Sequence, residues 1–274
     1  MTALREQAPP VALAPPVVLV PGMLCDAALW DGVREALPGP AVDTVIDAST
    51  IGAMAEQVLG AVEGPFVLVG LSLGAIVGFE VCRRAPERVA GLAVLSANAS
   101  APRPEQYAAW RAADLAAASG DFDAHVEASV LPGMFRSPEP GPREADAFRA
   151  MARRVGPSRY RSQLAAQATR EDAFPALSGY GGPVLALCGA LDRVTPPEFH
   201  AAVADAARRP TLRVLPGAGH LLPLEDPVEV ARELRGWLAE SGADFGADAD
   251  ADADARADAD ARPRTEARTE AVSG

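Results

Sequence analysis

The feature that most constrains the fold of this chain is the stretch from Phe66 to Gly78, which reads FVLVGLSLGAIVG. Its first four residues form an apolar run typical of a buried strand, and residues 73–78 are small and apolar with helical spacing. The turn between them places Ser72 at a sharp strand-to-helix junction. Such a turn strains the backbone by about 1–3 kcal/mol and directs the side chain outward. The segment has the sequence form of a nucleophile elbow; the alternative is a tight packing turn without chemistry.

Short apolar segments alternate with helical patterns on both sides of this turn. Strands that alternate with helices need crossover connections, so the pattern predicts an α/β fold with a mostly parallel sheet of about six strands and helices on both faces. The predicted strands are residues 17–20, 42–46, 66–69, 89–95, 184–188 and 212–215, and the helices between or after them are residues 26–37, 51–62, 73–84, 197–207 and 228–239.

The segment 97–182 breaks this alternation. It contains helical stretches at 105–118, 143–155 and 158–170, separated by Pro and Gly, and no convincing strand pattern. A block of helices between two strands is best interpreted as a cap over the carboxyl edge of the sheet. We therefore predict an α/β core formed by residues 17–96 and 183–241, with a helical cap, residues 97–182, inserted before the last two strands.

The two ends of the chain have compositions typical of disorder. Residues 1–16 contain four prolines and lack the unbroken apolar core of a signal peptide, which predicts a disordered lead. Residues 242–274 are rich in Ala–Asp repeats, in which like charges oppose a helix and nothing large is available for burial, so we expect a disordered acidic tail. With no long apolar window, the sequence favours a cytoplasmic protein without a membrane span.

Composition narrows the possible partners. The net charge of −12 argues against nucleic acid as a partner, because phosphate binding needs clustered cations. Cys25, Cys82 and Cys188 are widely spaced and lie in or beside apolar segments, which favours buried thiols over a disulfide framework or a metal site. We expect a small-molecule substrate and neither a metal nor another cofactor; the oligomeric state is left open.

A serine nucleophile needs a base, and the chain has three histidines. His220 lies in the loop Gly217–His220, directly after the last predicted strand, where parallel sheets build their sites. His125 falls in the cap, where a surface position is favoured. His200 belongs to a predicted helix, on its exposed or half-buried face. His220 is therefore the candidate general base.

The base in turn needs an orienting carboxylate. Asp192 follows the strand at 184–188 and precedes His220 in the chain, which is the expected order, although a turn-capping Asp would occupy the same kind of position. Glu225 and Asp226 come shortly after His220 and lie near a helix start, so we interpret them as helix N-caps.

Acyl chemistry also needs donors for an oxyanion. The backbone N–H of Leu73, directly after the serine, is one candidate, and it lies at the positive end of the following helix. The second candidate is the N–H of Met23, in the loop after the first strand, where Gly22 permits an open turn.

Together these residues resemble the α/β-hydrolase superfamily over roughly residues 17–240. The segments that carry the resemblance to its small bacterial carboxylesterase and enol-lactonase branch are Val20–Asp26, Gly70–Gly74, Ala85–Val89, Gly189–Pro196 and Gly217–His220. The resemblance implies the fold, a catalytic triad of Ser72, Asp192 and His220, and independence of cofactors.

The resulting expectation is a serine hydrolase that cleaves an ester, lactone or thioester of a small or medium organic molecule through an acyl-enzyme. Two alternatives stay open: an acyltransferase or other non-hydrolytic enzyme that uses the same triad, and a non-catalytic ligand-binding module on the same fold. Large cap residues could line the substrate pocket or pack within the cap, and these are Trp110, Phe135, Met151 and Tyr160.

Overall fold

The computed structural model describes residues 15–241. The acidic tail predicted for 242–274, and all of the predicted disordered lead except Pro15 and Pro16, lie outside the described residues. Pro16 already lies against the sheet, since its carbonyl accepts a hydrogen bond of 3.0 Å from the amide of Val67.

The centre of the fold is one sheet of six parallel strands in the order β2-β1-β3-β4-β5-β6. This confirms the predicted fold class. The strands are β1 Val17–Val20, β2 Ala41–Asp43, β3 Phe66–Leu71, β4 Val89–Leu95, β5 Pro183–Gly189 and β6 Arg209–Leu215. The helices of the core are α1 Asp31–Arg34, α2 Ile51–Gly60, α3 Leu73–Arg84, α8 Pro197–Ala206, α9 Leu222–Glu225 and α10 Pro227–Glu240. Those between β4 and β5 are α4 Pro104–Ala118, α5 Phe122–His125, α6 Pro142–Gln167 and α7 Phe174–Gly179.

Helices cover both faces of the sheet, because the strands bury side chains on both sides. In β1, Val17 and Leu19 belong to the apolar cluster that includes Trp237 of α10, whereas Val18 and Val20 belong to the cluster on the other face. Burying each such side chain stabilises the fold by about 1.5–3 kcal/mol. All six residues of the central strand β3 are buried. The central strand therefore lies fully inside the core.

Between β4 and β5 the chain is helical, and every residue from 96 to 182 falls in the described part without forming a strand. The longest element is α6, which contains one non-helical residue, Gly156 with φ 70° and ψ 170°, just before Pro157. A proline in a helix interior removes a hydrogen bond and clashes with the preceding turn, so the helix kinks there. The helical stretches predicted at 143–155 and 158–170 are therefore both present, separated at Gly156, and the second ends at Gln167. Phe148 and Met151 join it to the core cluster.

The structure also bears on the cysteines and on membrane-spanning helices. Cys25, Cys82 and Cys188 are all buried and unpaired, which matches the prediction of isolated thiols. Among residues 15–241, no helix combines the length and the apolar character needed to cross a bilayer.

Candidate active site

Ser72 occupies the turn between β3 and α3 in a strained conformation. Its φ of 53° and ψ of −112° are rare for a residue with a Cβ, and such backbones cost about 1–3 kcal/mol. Neighbouring hydrogen bonds hold it there: its N–H donates to the carbonyl of Leu95 at 2.8 Å, and its carbonyl accepts from Ala75 and Ile76, each at 3.1 Å. The strand-to-helix junction expected from the sequence therefore exists.

The two glycines of the turn allow the backbone to pack this closely. A Cβ on Gly70 would lie 2.6 Å from the amide nitrogen of Ala75. A Cβ on Gly74 would collide with the carbonyl oxygen of Val20 and would lie 2.7 Å from that of Pro21. These partners are backbone atoms that cannot rotate away. Gly74 thus lets α3 start directly against the end of β1.

Replacing Gly74 with Ala is expected to lower the free energy of unfolding by at least about 2 kcal/mol, because overpacking against fixed backbone costs roughly 1–3 kcal/mol or more. Urea denaturation followed by circular dichroism measures this change. The matched control is Gly236→Ala in the middle of α10, where a Cβ meets nothing within 4 Å; it should raise the stability by about 0.5–1 kcal/mol. Equal effects of the two substitutions would contradict the close approach described for Gly74.

His220 lies beside Ser72. It ends the loop that follows β6, and its Nε2 is 3.2 Å from the Ser72 Oγ. Its Nδ1 is 2.9 Å from Oδ2 of Asp192. The imidazole is only 3% exposed. The three residues that the sequence singled out, from the ends of β3, β5 and β6, therefore form one continuous hydrogen-bonded chain.

Asp192 is fixed from several directions. Its Oδ1 accepts the amides of Val194 at 2.8 Å and Thr195 at 2.9 Å, and its Oδ2 accepts the Thr195 hydroxyl at 2.7 Å. It therefore caps its own turn and also contacts His220. Burial alone would raise the pKa of the carboxyl, but the hydrogen bond and charge of His220, together with the donors of Thr195, lower this pKa to about 2. The carboxylate stays ionised at neutral pH.

This pKa predicts how stability depends on pH. The folded pKa of Asp192 is about 2 against a reference of 3.8, so the folded state binds the proton less readily. Its contribution, about 2 kcal/mol, is present above the reference pKa and is lost as the pH falls from about 4 to about 2. Urea unfolding at a series of pH values should show a smaller loss over this window for Asp192→Asn than for the unmodified protein. Parallel curves would contradict the assignment.

The candidate oxyanion donors are the amides of Leu73 and Met23. Leu73 is the first residue of α3, so its N–H has no partner within the helix. Met23 follows β1 and lines the cavity beside Ser72. Within residues 15–241, neither amide has a hydrogen-bond acceptor. Both donors are thus available to a ligand.

A glutamine that sequence reasoning missed holds the loop of Met23 in place. The Oε1 of Gln163 accepts the amide of Leu24 at 3.1 Å, and its Nε2 donates to the carbonyl of Ile46 at 3.3 Å. Leu24 has a positive φ of 63°, so its conformation needs support. Gln163 comes from the cap helix α6 and is 139 positions away from Leu24. No local pattern could have indicated this contact.

Glu225 also differs from its expected role. Asp226 caps α10 as predicted, accepting the amide of Glu229 at 3.3 Å. The side chain of Glu225, however, is fully buried and accepts the amides of Gly219 and Arg136, each at 2.6 Å. The N-cap interpretation of Glu225 is therefore wrong. Its carboxylate supports the loop directly before His220.

The other two histidines lie elsewhere. His200 is fully buried, against the expected exposed or half-buried face, because α8 packs its inner side onto β5. Its Nε2 accepts the amide of Ala97 at 2.9 Å, and burial lowers its pKa to about 4, so it is neutral near pH 7. His125 is half-buried in the cap, with its Nε2 3.1 Å from the hydroxyl of Tyr160.

A cavity of about 190 Å³ opens beside Ser72 and His220, lined in part by residues of the helical segment 97–182. Trp110 lines it, whereas the other large cap residues considered from the sequence, Phe135, Met151 and Tyr160, pack in the core. Further apolar lining comes from Val130, Met134, Phe199 and Leu221. Among the described residues there is no group of three or more His, Cys, Asp or Glu side chains placed to hold a metal ion.

This arrangement can carry out a defined set of proton movements. A hydroxyl bonded to Nε2 can transfer its proton there while Asp192, bonded to Nδ1, stabilises the imidazolium that forms. The amides of Met23 and Leu73 can donate hydrogen bonds to a carbonyl oxygen on which negative charge develops. The apolar cavity provides space for the rest of the molecule.

Comparison with proteins of known structure gives the same architecture. A thermophilic esterase from Thermogutta terrifontis superimposes with a TM-score of 0.76 at 27% identity, over 83% of this chain and 90% of the esterase. The enol-lactonase from Burkholderia xenovorans LB400 gives a TM-score of 0.74 at 20% identity, over 82% of this chain and 92% of the lactonase.

Sequence comparison also finds a biotin biosynthesis bifunctional protein from Cellvibrio japonicus, 31% identical over 104 residues. The match covers 34% of this chain and spans only about a fifth, 21%, of that relative. A family model for the alpha/beta hydrolase family matches residues 17–233, which include Ser72, Asp192 and His220. The chain therefore belongs to the alpha/beta hydrolase family.

Proposed function

We propose that this protein is a serine hydrolase that cleaves a carboxylic ester, lactone or thioester of a small or medium organic molecule. The observation that carries the proposal is the hydrogen-bonded chain from Ser72 to His220 at 3.2 Å and from His220 to Asp192 at 2.9 Å. Nucleophile, base and orienting carboxylate are the parts that acyl transfer to serine needs.

In the first half of the reaction, the Ser72 Oγ attacks the carbonyl carbon while its proton passes to Nε2 of His220. The electron pair of the carbonyl moves to its oxygen, which accepts hydrogen bonds from the amides of Met23 and Leu73. Each such donor contributes about 10²–10³ in rate. Collapse of the tetrahedral intermediate breaks the bond to the leaving group, which takes the proton from His220 and departs as an alcohol or thiol.

In the second half, water attacks the acyl-enzyme. His220 accepts a proton from the water as its oxygen bonds to the acyl carbon, and the same two amides hold the new oxyanion. Collapse releases the carboxylic acid and returns the proton to Ser72. The strained backbone of Ser72 and the buried, ionised Asp192 keep the three groups aligned through both halves.

The family assignment and the related esterase at 27% identity support this proposal at the level of ester hydrolysis. The enol-lactonase shares the fold. The carboxylesterase class and catalysis without a cofactor are parts of this proposal.

The test is a panel of p-nitrophenyl esters graded from acetate to decanoate, simple lactones and acyl thioesters. Each is assayed with and without an added alcohol or thiol acceptor, and the products are separated by chromatography. We expect free acid as the product in both conditions. Acyl transfer to the acceptor in place of acid formation would identify an acyltransferase. Failure to consume any of the substrates would contradict the hydrolase proposal and favour a ligand-binding module.

A further inference from the structure

The cavity beside Ser72 contains a buried arginine that the proposed mechanism does not use. Arg170 follows α6 in the cap, is only 8% exposed, and lines the same cavity as Ser72 and His220. Its Nε is buried without a hydrogen-bond partner in the described part of the chain. A guanidinium has five N–H donors, and leaving any of them buried and unpaired is unfavourable.

The contacts that Arg170 does make are weak. Its Nη1 is 3.3 Å from Oε1 of Gln167 and its Nη2 is 3.4 Å from Oε1 of Gln106, both long for a charge-assisted hydrogen bond. Its guanidinium carbon lies 5.7 Å from the centre of the Trp110 ring. Within residues 15–241 it forms no ion pair with a carboxylate. A buried charge normally has a paired partner, and none of the described residues supplies a carboxylate to Arg170.

The charged side chains that line the cavity are positive. Its charged side chains are Arg170 and the exposed Arg103, and no Asp or Glu of the described residues lines it. This is unusual in a chain with a net charge of −12. The hydroxyl of Ser96, which lines the same cavity, is also buried and unpartnered. The lining of the cavity thus combines apolar side chains with a cationic group and an unpartnered hydroxyl.

From these observations we propose that Arg170 binds a carboxylate of the substrate, so that the protein prefers esters, lactones or thioesters that carry a free carboxylate besides the reacting carbonyl. This deepens the proposed function and rests on it. The guanidinium can take a carboxylate in the two-pronged geometry that arginine favours, and Trp110 and the two glutamines hold it in position. The substrate class is therefore half-esters of dicarboxylic acids and related acidic esters.

The first test compares matched substrates. Monoethyl succinate, glutarate and adipate carry the carboxylate at increasing distance from the ester, and the corresponding ester amides are neutral and nearly isosteric. We expect the unmodified protein to show a higher kcat/KM for at least one half-ester than for its amide, by about ten- to a hundredfold, as for a hydrogen bond to a charged group. A ratio of one or less across the series would overturn the proposal without any variant.

The second test uses variants of the arginine. Arg170→Met removes the charge and should lower the carboxylate-to-amide ratio by about tenfold or more, whereas Arg170→Lys should retain part of the preference. Arg143→Met, which removes an exposed arginine at the start of α6, is the matched control and should leave the ratio unchanged. Using a ratio separates recognition from a general loss of folded protein, and an unchanged ratio in Arg170→Met would overturn the proposal.

A binding experiment separates this proposal from the proposed function. Calorimetric titration of Ser72→Ala with each of the three half-esters should show binding of at least one, and this binding should weaken about tenfold or more when Arg170→Met is added. If the protein hydrolyses neutral esters and shows no preference for a carboxylate, the hydrolase proposal holds and the proposed role of Arg170 is wrong. If binding depends on Arg170 but the protein hydrolyses no ester, the hydrolase proposal is wrong and the carboxylate-binding role of Arg170 holds. Binding that ignores Arg170 would overturn the proposal in either case.

Discussion

Replacing Ser72 with Ala is expected to lower kcat/KM for ester hydrolysis by about 10⁴- to 10⁶-fold, leaving only the residual rate that oxyanion donors and binding provide. The reason is that Ala lacks the Oγ that lies 3.2 Å from Nε2 of His220, so no acyl-enzyme can form. Steady-state assays with the best ester from the substrate panel measure the effect. The fold should survive, because Ala keeps the Cβ and only the hydroxyl is lost.

The matched control is Ser119→Ala. Ser119 is exposed at the end of α4 and its hydroxyl donates to the carbonyl of Ala116, far along the chain from the turn. This variant should hydrolyse esters at the rate of the unmodified protein. If Ser72→Ala retained the rate of this control, the nucleophile assignment would be wrong.

The second large effect is expected from Asp192→Asn, with a loss of about 10³- to 10⁴-fold in kcat. Asn can still accept the amides of Val194 and Thr195, so the turn should persist. Its NH₂ group, however, would donate towards Nδ1 of His220 and force the proton onto Nε2, the wrong tautomer for a base that must accept from Ser72. The loss should therefore appear mainly in kcat, with a smaller change in KM.

Asp205→Asn provides the comparison for this substitution, since Asp205 is an exposed residue of α8 and loses the same charge. Its kcat should match that of the unmodified protein. A loss of less than about tenfold in Asp192→Asn would mean that the carboxylate caps a turn without orienting the base.

Much of the fold was predictable because the buried strands can be recognised from their own sequences. Every residue of β3 and β5 is buried, so both strands read as continuous apolar runs bounded by glycine or proline. The edge strands gave weaker signals. β6 begins at Arg209, three positions before the predicted start. Its first residues are polar or exposed and lack an apolar pattern, because an edge strand is buried on fewer sides.

At the other edge of the sheet, the predicted strand is longer than the observed one. The strand predicted at 42–46 ends at Asp43, where β2 stops after three residues. Beyond it, the amide and the hydroxyl of Thr44 both donate to the carbonyl of Leu19, at 3.2 and 3.0 Å, and the strand pairing ends with Asp43 opposite Leu19. A threonine in an apolar pattern favours a strand, and only the neighbouring chain decides which hydrogen bonds it makes.

In the candidate site, what could be predicted depended on local chain geometry. Ser72, Asp192 and His220 each follow a strand whose end was readable, and parallel strands bring such ends to one edge of the sheet. Gln163 and Arg170 come from the cap, where no sheet register fixes which side chains reach the site. Their roles depend on contacts over more than a hundred positions or on a cavity, which no local pattern encodes.

The most direct test of the central claim is covalent labelling of the folded protein with a fluorophosphonate, followed by mass spectrometry of its peptides. Such a reagent reports a serine whose oxygen is activated by a neighbouring base. We predict one adduct per chain, located on Ser72, and its loss in the Asp192→Asn variant to the same degree as ester hydrolysis. Folded protein that hydrolyses esters while Ser72 stays unlabelled would contradict the account.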